Sequence, residues 1–284
     1  MIAQAFYIHS VQLVIDAAKV LNIQADVTGY TALLDRLKKA FNDEFVTPNG
    51  RLVSSSQTAY VLALQFDLLP EALRPQAAAR LVENIKSYNN HLTTGFLGTP
   101  YLCHVLSRFG YTDVAYTLLF QETYPSWLYP VKKGATTIWE RWDGIKPDGS
   151  FETPSMNSFN HYAYGAIGDW LYKVVAGINT DTTGAGYKKI VIAPQPGGKF
   201  SFAKAALKTM YGTVQSEWRI DNGKLLLDVT VPPNTTARMV LPKAATAHVQ
   251  YGKGFVKAPV TVNKGDNVEV EVGSGSYHIE YAQR

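Results

Sequence analysis

The sequence predicts a mainly α-helical part followed by an all-β part. Three observations carry this. Apolar residues recur every three or four positions up to about residue 178. From about Lys188 they alternate with polar residues instead. Between the two patterns lies "NTDTTGAGYK", a Gly- and Thr-rich stretch. The expected domains are residues 1–180 and 188–284. A chain of 284 residues, 46% hydrophobic and 18% charged, has the material for folded cores rather than disorder.

The helical part reads as seven segments. "AFYIHSVQLVIDAAKVL" and "VTGYTALLDRLKKAFNDEFV" are amphipathic, and the second runs into the turn signal "TPNG". "SSSQTAYVLALQFDLL" offers serines as N-caps and stops before Pro70. "ALRPQAAARLVENIKSYN" carries Pro75, expected in a first helical turn where its missing N–H costs little. "TPYLCHVLSRFG" is stopped by Gly110, and "YTDVAYTLLFQETY" follows. The seventh is "NHYAYGAIGDWLYKVVAGI", in which Gly165 and Gly168 are expected to permit close helix packing. Short connections make neighbours antiparallel. In the β part, "KKIVIAPQP", "FSFAKAALKTMYGTVQSEWRI", "KLLLDVTVP", "TARMVLP", "AHVQYG" and "VTVNKGDNVEVEVGSGSYHIEY" alternate, punctuated by "DNGK", "PPNTT" and "VGSGS". That pattern predicts an antiparallel β-sandwich.

Several function classes are excluded or disfavoured. Net charge is +4 with acids and bases interspersed, so a nucleic-acid partner is not expected. No stretch has the roughly 20 apolar residues of a membrane span, and the N-terminus lacks the basic start of a signal peptide. Cys103 is the single cysteine, so no intrachain disulfide forms, and the cytoplasm is the expected compartment. No His/Cys/Asp/Glu group has metal-ligand spacing and no glycine-rich phosphate loop is present, so no cofactor or metal is expected.

The segment Pro125 to Asn157 breaks the helical rhythm. Loops of this length in compact domains are uncommon and often functional. It holds Trp127, Trp139 and Trp142, three of the five tryptophans, with Glu140, Asp143, Asp148 and Glu152 among them. Glu140 sits between two indoles in "GATTIWERWDG". Local pattern leaves two readings open. The T-x-x-E spacing from Thr137 fits a capping box at a helix start. A carboxylate between aromatic rings also suits acid–base work in a sugar site. His161, opening the last helix, is either a satisfied interior histidine or a neutral imidazole for sugar hydroxyls. Ser158 and Asn160 double as N-cap candidates. "HLTTGFLG" is a candidate rim loop.

Taken together, "AFNDEFVTPNGRLVSSSQTAYVLALQFDLLP", "TTGFLGTPYLCHVLSRFGYTDVAYTLLFQETYPSWLYPVKKGATTIWERWDG" and "SMNSFNHYAYGAIGDWLYKVVAGI" resemble bacterial α-L-rhamnosidases of glycoside hydrolase family 78. The tail from "KKIVIAPQPGG" to "TARMVLP" resembles the β-domain that follows the catalytic barrel there. The resemblance implies the C-terminal part of an (α/α)6 barrel plus a β-sandwich, with cofactor-free inverting removal of terminal L-rhamnose from glycosides. It makes Glu140 similar to the general base and His161 similar to a histidine lining the sugar site. Trp139, Trp142, Asp143 and Asn160 are further candidates for shaping that site. The general acid of the family lies upstream of the part matched here, and seven helices fall short of twelve. The expectation is therefore a chain inactive alone that self-associates or pairs with a polypeptide carrying the rest of the barrel. The competing readings are a non-catalytic rhamnoside-binding module and a truncated structural fragment.

Overall fold

The computed structural model describes residues 1–244, 250–251 and 261–282. It divides into two compact units, Met1–Ala166 and Ile167–Arg284.

The first unit is helical. Helices α1 (Ile2–Val20), α2 (Gln24–Phe45), α3 (Gln57–Gln65), α4 (Arg74–Ser87), α5 (Thr99–Arg108) and α6 (Thr112–Leu119) follow in sequence, and a short α7 (Leu128–Lys132) comes after them. Packing is pairwise, α1 on α2, α3 on α4 and on α5, α5 on α6. Helix α1 buries Ala5, Ile8, Val11, Ile15 and Ala18, a single stripe at three- and four-residue steps. Helix α3 buries seven of its nine residues and is the centre of the unit. The expected caps are present. Ser56 Oγ accepts from Ala59 N at 3.3 Å, and Pro75 lies in the first turn of α4. After α5, Gly110 takes φ +83°, and Tyr111 N bonds back to Leu106 O at 2.8 Å.

Buried Gln57 ties α3 to the segment that follows α4. Its Oε1 accepts from Thr93 N at 2.8 Å and its Nε2 donates to His91 O at 3.0 Å. Thr94 and Thr99, both buried, share a hydroxyl hydrogen bond of 2.8 Å. Gly98 is required here, since a Cβ would stand 2.8 Å from Thr58 Oγ1 and 3.0 Å from Thr94 Cγ2. These contacts fix the loop that carries Phe96.

Two expectations for the end of the helical part are corrected. The continuous helix from residue 160 is absent. Its place is taken by a 3₁₀ turn (Ala163–Ala166), a four-residue helix α8 (Ile167–Trp170) and a π turn (Leu171–Val175). His161 and its neighbours are not helical; they run beside residues 137–140, with His161 N bonded to Ile138 O. Close packing does not explain Gly165 or Gly168. A Cβ at Gly165 would meet only Ile138 Cγ1 at an ordinary 3.5 Å, and at Gly168 nothing within 4 Å.

The second unit is the β-sandwich. One sheet has the order β1 (Ile178–Thr180), β2 (Lys189–Ile192), β6 (Thr236–Leu241), β9 (Asn267–Val272), β8 (Thr261–Lys264). The other has the order β3 (Phe202–Thr209), β4 (Gly212–Asp221), β5 (Lys224–Val231), β10 (Gly275–Ala282), β7 (Gln250–Tyr251). All pairings are antiparallel except β2 with β6. Strand β1 was not expected; it occupies the end of the presumed seventh helix and the start of the presumed linker. The strand expected in "AHVQYG" lies largely outside the described residues, β7 being its described part. Asn222 (φ 48°) and Gly223 (φ 76°) form the β4–β5 turn, as "DNGK" requires. On β4, Val214, Ser216 and Trp218 face inward. Trp218 Nε1 donates to Val175 O at 2.7 Å and Ser216 Oγ to Ala176 O at 2.6 Å. Those two bonds satisfy carbonyls that the irregular 171–176 turn leaves without helical partners.

Candidate functional site

The segment after α7 is held by its own backbone. Glu140 N donates to Ser158 O at 2.9 Å, and His161 N donates to Ile138 O at 2.8 Å. Thr137 Oγ1 also donates to Phe159 O. Residues 137–140 therefore lie alongside residues 158–161, with Glu140 beside Ser158 and Ile138 beside His161. No helix begins at Glu140, so the capping-box reading fails: Thr137 spends its hydroxyl across the ribbon, not on a helix N-terminus. Gly144 allows the ribbon to close. A Cβ there would stand 3.0 Å from Phe159 and 3.2 Å from Trp139. Asn157 Nδ2 seals the same turn by donating to Gly144 O at 2.9 Å.

Glu140 is half-buried. Among the described residues no donor or cation engages its carboxylate. Its neighbour Arg141 is turned elsewhere, to Asp143 (3.7 Å), Glu152 (3.6 Å) and Thr153 (3.5 Å). Lys146 closes on the second oxygen of Glu152 at 3.0 Å. Asp143 and Glu152 are thus ion-paired, and Glu140 is the carboxylate left open.

His161 is oriented from two directions. Its ring stacks on Phe96, with centroids 4.8 Å apart and planes within 9°. Its Nδ1 accepts from Ala163 N at 3.2 Å. A ring nitrogen that accepts carries no proton, so in the neutral imidazole the hydrogen sits on Nε2, a tautomer assigned from this bond. The stack continues through a line of rings. Phe96 meets Tyr164 (5.3 Å), Tyr164 lies flat on Trp142 (3.8 Å, 14°), and Trp142 meets Trp127 edge-on (5.5 Å, 86°). Both indoles use their N–H groups, Trp142 on Thr94 O at 3.3 Å and Trp127 on Tyr164 O at 2.9 Å.

The structure distributes the sequence candidates unequally. Glu140 and His161 stand on the two paired segments of this ribbon, Glu140 opposite Ser158 and His161 opposite Ile138. Trp139 is only 5% exposed and packs edge-on against Phe159, so it supports the ribbon from beneath. Trp142 and Asp143 are half-buried and Asn160 is exposed, its N–H bonded to Ser158 Oγ at 3.2 Å. Sequence reasoning missed Phe96, Tyr124, Arg141 and Tyr164. Phe96 was signalled only as part of the rim-loop candidate. Tyr124 and Tyr164 both titrate above the ordinary phenol range, chiefly through burial; the Asp143 charge adds to the effect at Tyr124, and Tyr124 to that at Tyr164. Among the described residues no group of three His, Cys, Asp or Glu side chains is placed to hold a metal ion, and no helix is long and apolar enough to cross a membrane.

Residues 1–175 match the model of the bacterial alpha-L-rhamnosidase six-hairpin glycosidase domain, and residues 177–255 that of the bacterial alpha-L-rhamnosidase C-terminal domain. An alpha-L-rhamnosidase of Streptomyces avermitilis is 47% identical over 98% of this chain and 26% of its own length. One from Formosa agariphila is 48% identical over 85% of this chain, again 26% of its own length. In structure, the Streptomyces avermitilis alpha-L-rhamnosidase complexed with L-rhamnose gives a TM-score of 0.91 at 45% identity, covering 98% of this chain and 26% of that one. The alpha-L-rhamnosidase of Aspergillus terreus gives 0.87 at 36% identity, covering 98% and 30%. The chain spans about a quarter of the length of the relatives it matches.

Proposed function

Because the chain belongs to the bacterial alpha-L-rhamnosidase six-hairpin glycosidase family, we propose that it supplies the general base and part of the sugar site for inverting hydrolysis of terminal L-rhamnose. The observation that supports this is the open Glu140 carboxylate on a ribbon held by backbone bonds, whose other segment carries an oriented His161. In this reading Glu140 takes a proton from the attacking water. The Nε2–H of His161 donates to a sugar hydroxyl. Trp142, Asp143 and Asn160 shape the rim, and Trp139 props the ribbon.

Inversion requires a second carboxyl about 6.5–9.5 Å from the first, so that water fits between them. Asp143 and Glu152 are committed to Arg141 and Lys146, which makes them supports rather than proton donors. We assign the general acid to a source outside these 284 residues. Exposed apolar residues on α1 and the following turn, Leu13, Val14, Val20 and Leu21 at 41–82% exposure, support association with a second copy or a partner polypeptide. The test is direct. The pure chain is expected not to hydrolyse an aryl α-L-rhamnoside, and a complete rhamnosidase bearing the change at Glu140→Gln is expected to keep sugar affinity and lose turnover. Ready hydrolysis by the isolated chain sinks the division of labour proposed here.

A further inference from the structure

The outer face of the β3–β4–β5–β10 sheet carries a row of four ionisable side chains. The register sets Lys204 opposite Glu217, Glu217 opposite Asp228, and Asp228 opposite His278. Residues two apart along a strand share a face. The next row on this face is therefore Ala206, Gln215, Thr230 and Ser276. Because these side chains are short or neutral, a trough of about 270 Å³ opens along the charged row. On the row's other side stands Phe202, 64% exposed.

The order of charges does not suit a stabilising ladder. Such a ladder alternates sign from strand to strand, because like charges directly opposite destabilise a sheet. Here the order is cation, carboxylate, carboxylate, histidine, with Glu217 and Asp228 side by side. Each carboxylate has one oxygen engaged from outside the pair. Glu217 Oε2 meets Lys204 Nζ at 2.8 Å, and Asp228 Oδ1 meets His278 Nδ1 at 2.7 Å. Glu217 Oε1 and Asp228 Oδ2 have no protein donor among the described residues. A local conflict of this kind is what functional sites retain.

The chemistry of the trough selects a ligand class. The central carboxylates repel anions. Among the described residues no group of three His, Cys, Asp or Glu side chains, His278 with this pair included, is placed to hold a metal ion. A vicinal diol fits: its two hydroxyls donate to the two open carboxylate oxygens on adjacent strands, as charge-assisted hydrogen bonds. The Gln215 amide faces the remaining ligand oxygens, as do the hydroxyls of Thr230 and Ser276, which share one long hydrogen bond of 3.5 Å. Phe202 offers an apolar ring to a C–H face. We propose that this sheet face binds a neutral saccharide through a vicinal diol, at a site built wholly from the second unit and independent of the reading given to Glu140.

The experiment is a titration of the full ¹⁵N-labelled chain with methyl α-L-rhamnopyranoside, and with its 2,3-O-isopropylidene derivative, in which the diol is capped. The expected result is saturable shifts of the amides at 204–206, 215–217, 228–230 and 276–278, with Kd on the order of millimolar. The capped sugar leaves those amides unmoved. Glu217→Gln and Asp228→Asn each weaken binding about ten-fold, whereas Glu140→Gln leaves it unchanged. Both substitutions are isosteric on an exposed face, and an unaltered melting temperature identifies a folded variant. Three results overturn the proposal: no saturable shift with the free sugar, equal binding of the capped sugar or of folded variants, or tighter binding of putrescine than of the sugar, which would mark the trough as a cation site.

Discussion

Replacing Trp142 with phenylalanine isolates the brace behind the candidate site. The indole N–H donates to Thr94 O at 3.3 Å, one face lies on Tyr164 at 3.8 Å, and its edge contact with Trp127 spans 5.5 Å. A phenyl ring keeps the stack and loses the hydrogen bond, about 1 kcal/mol. The smaller ring forgoes roughly 30 Å² of buried apolar surface at this half-buried position, about 0.7 kcal/mol. Partial loss of the edge contact adds about 0.5 kcal/mol. The expected cost is therefore about 2 kcal/mol, or a melting point lowered by ~4–8 °C for a unit of this size. Because the chain has two compact units, hydrogen exchange read peptide by peptide is the suitable assay. Protection should fall in peptides covering residues 92–100 and 136–164 and stay constant across β3–β5. A loss below about 0.5 kcal/mol would show that Trp142 braces nothing. An equal loss across the sandwich would show that the substitution acts globally.

Three further outcomes are expected. Thr137→Val removes the hydroxyl donated to Phe159 O; it should cost about 1 kcal/mol and speed amide exchange at Glu140 and His161, and unchanged exchange would count against the ribbon. Burial pushes the Cys103 thiol up to about 12, so the native chain should resist iodoacetamide at pH 8 and react once unfolded. The folded state holds that proton where the unfolded thiol, near pKa 8.5, has lost it. Its contribution is complete below about pH 8.5 and falls by about 1.4 kcal/mol per unit as pH rises towards 12, so urea midpoints at pH 8 and pH 10 should separate more for the wild type than for Cys103→Ala. Sizing by light scattering should show self-association, weakened by Leu13→Lys and Val20→Lys; a strict monomer at tens of micromolar removes that proposal.

The helical and β parts were legible because their periods differ and burial follows them. The stripe of α1 and the inward Val214, Ser216 and Trp218 of β4 are direct readings of the sequence. The stretch from residue 160 misled because "HYAYGAIGDWLYKVV" has helical spacing while its first residues pair with a distant segment, His161 N with Ile138 O. Periodicity does not register such competition. T-x-x-E at Thr137 imitated a capping box, but the Thr137 hydroxyl is spent on Phe159 O across the ribbon. At the site, Glu140 and His161 were singled out by their motifs, and the fold sets them on the two paired segments of one ribbon. Phe96 was not, since it lies 65 residues before His161 and only the fold of the Gln57-anchored loop brings its ring to 4.8 Å. Tyr124 and Arg141 escaped for the same reason: their roles are set by Asp143 and Glu152 across a loop with no repeating pattern.

The most direct measurement is the amide spectrum of the full chain during titration with L-rhamnose, compared between the wild type and His161→Ala. Saturable shifts are expected at residues 138–142 and 158–163, lost in His161→Ala and kept in Glu140→Gln. If those amides stay still while the sugar saturates other parts of the chain, or if His161→Ala keeps the shifts at 138–142 and 158–163, the ribbon carrying Glu140 and His161 is not a rhamnose site.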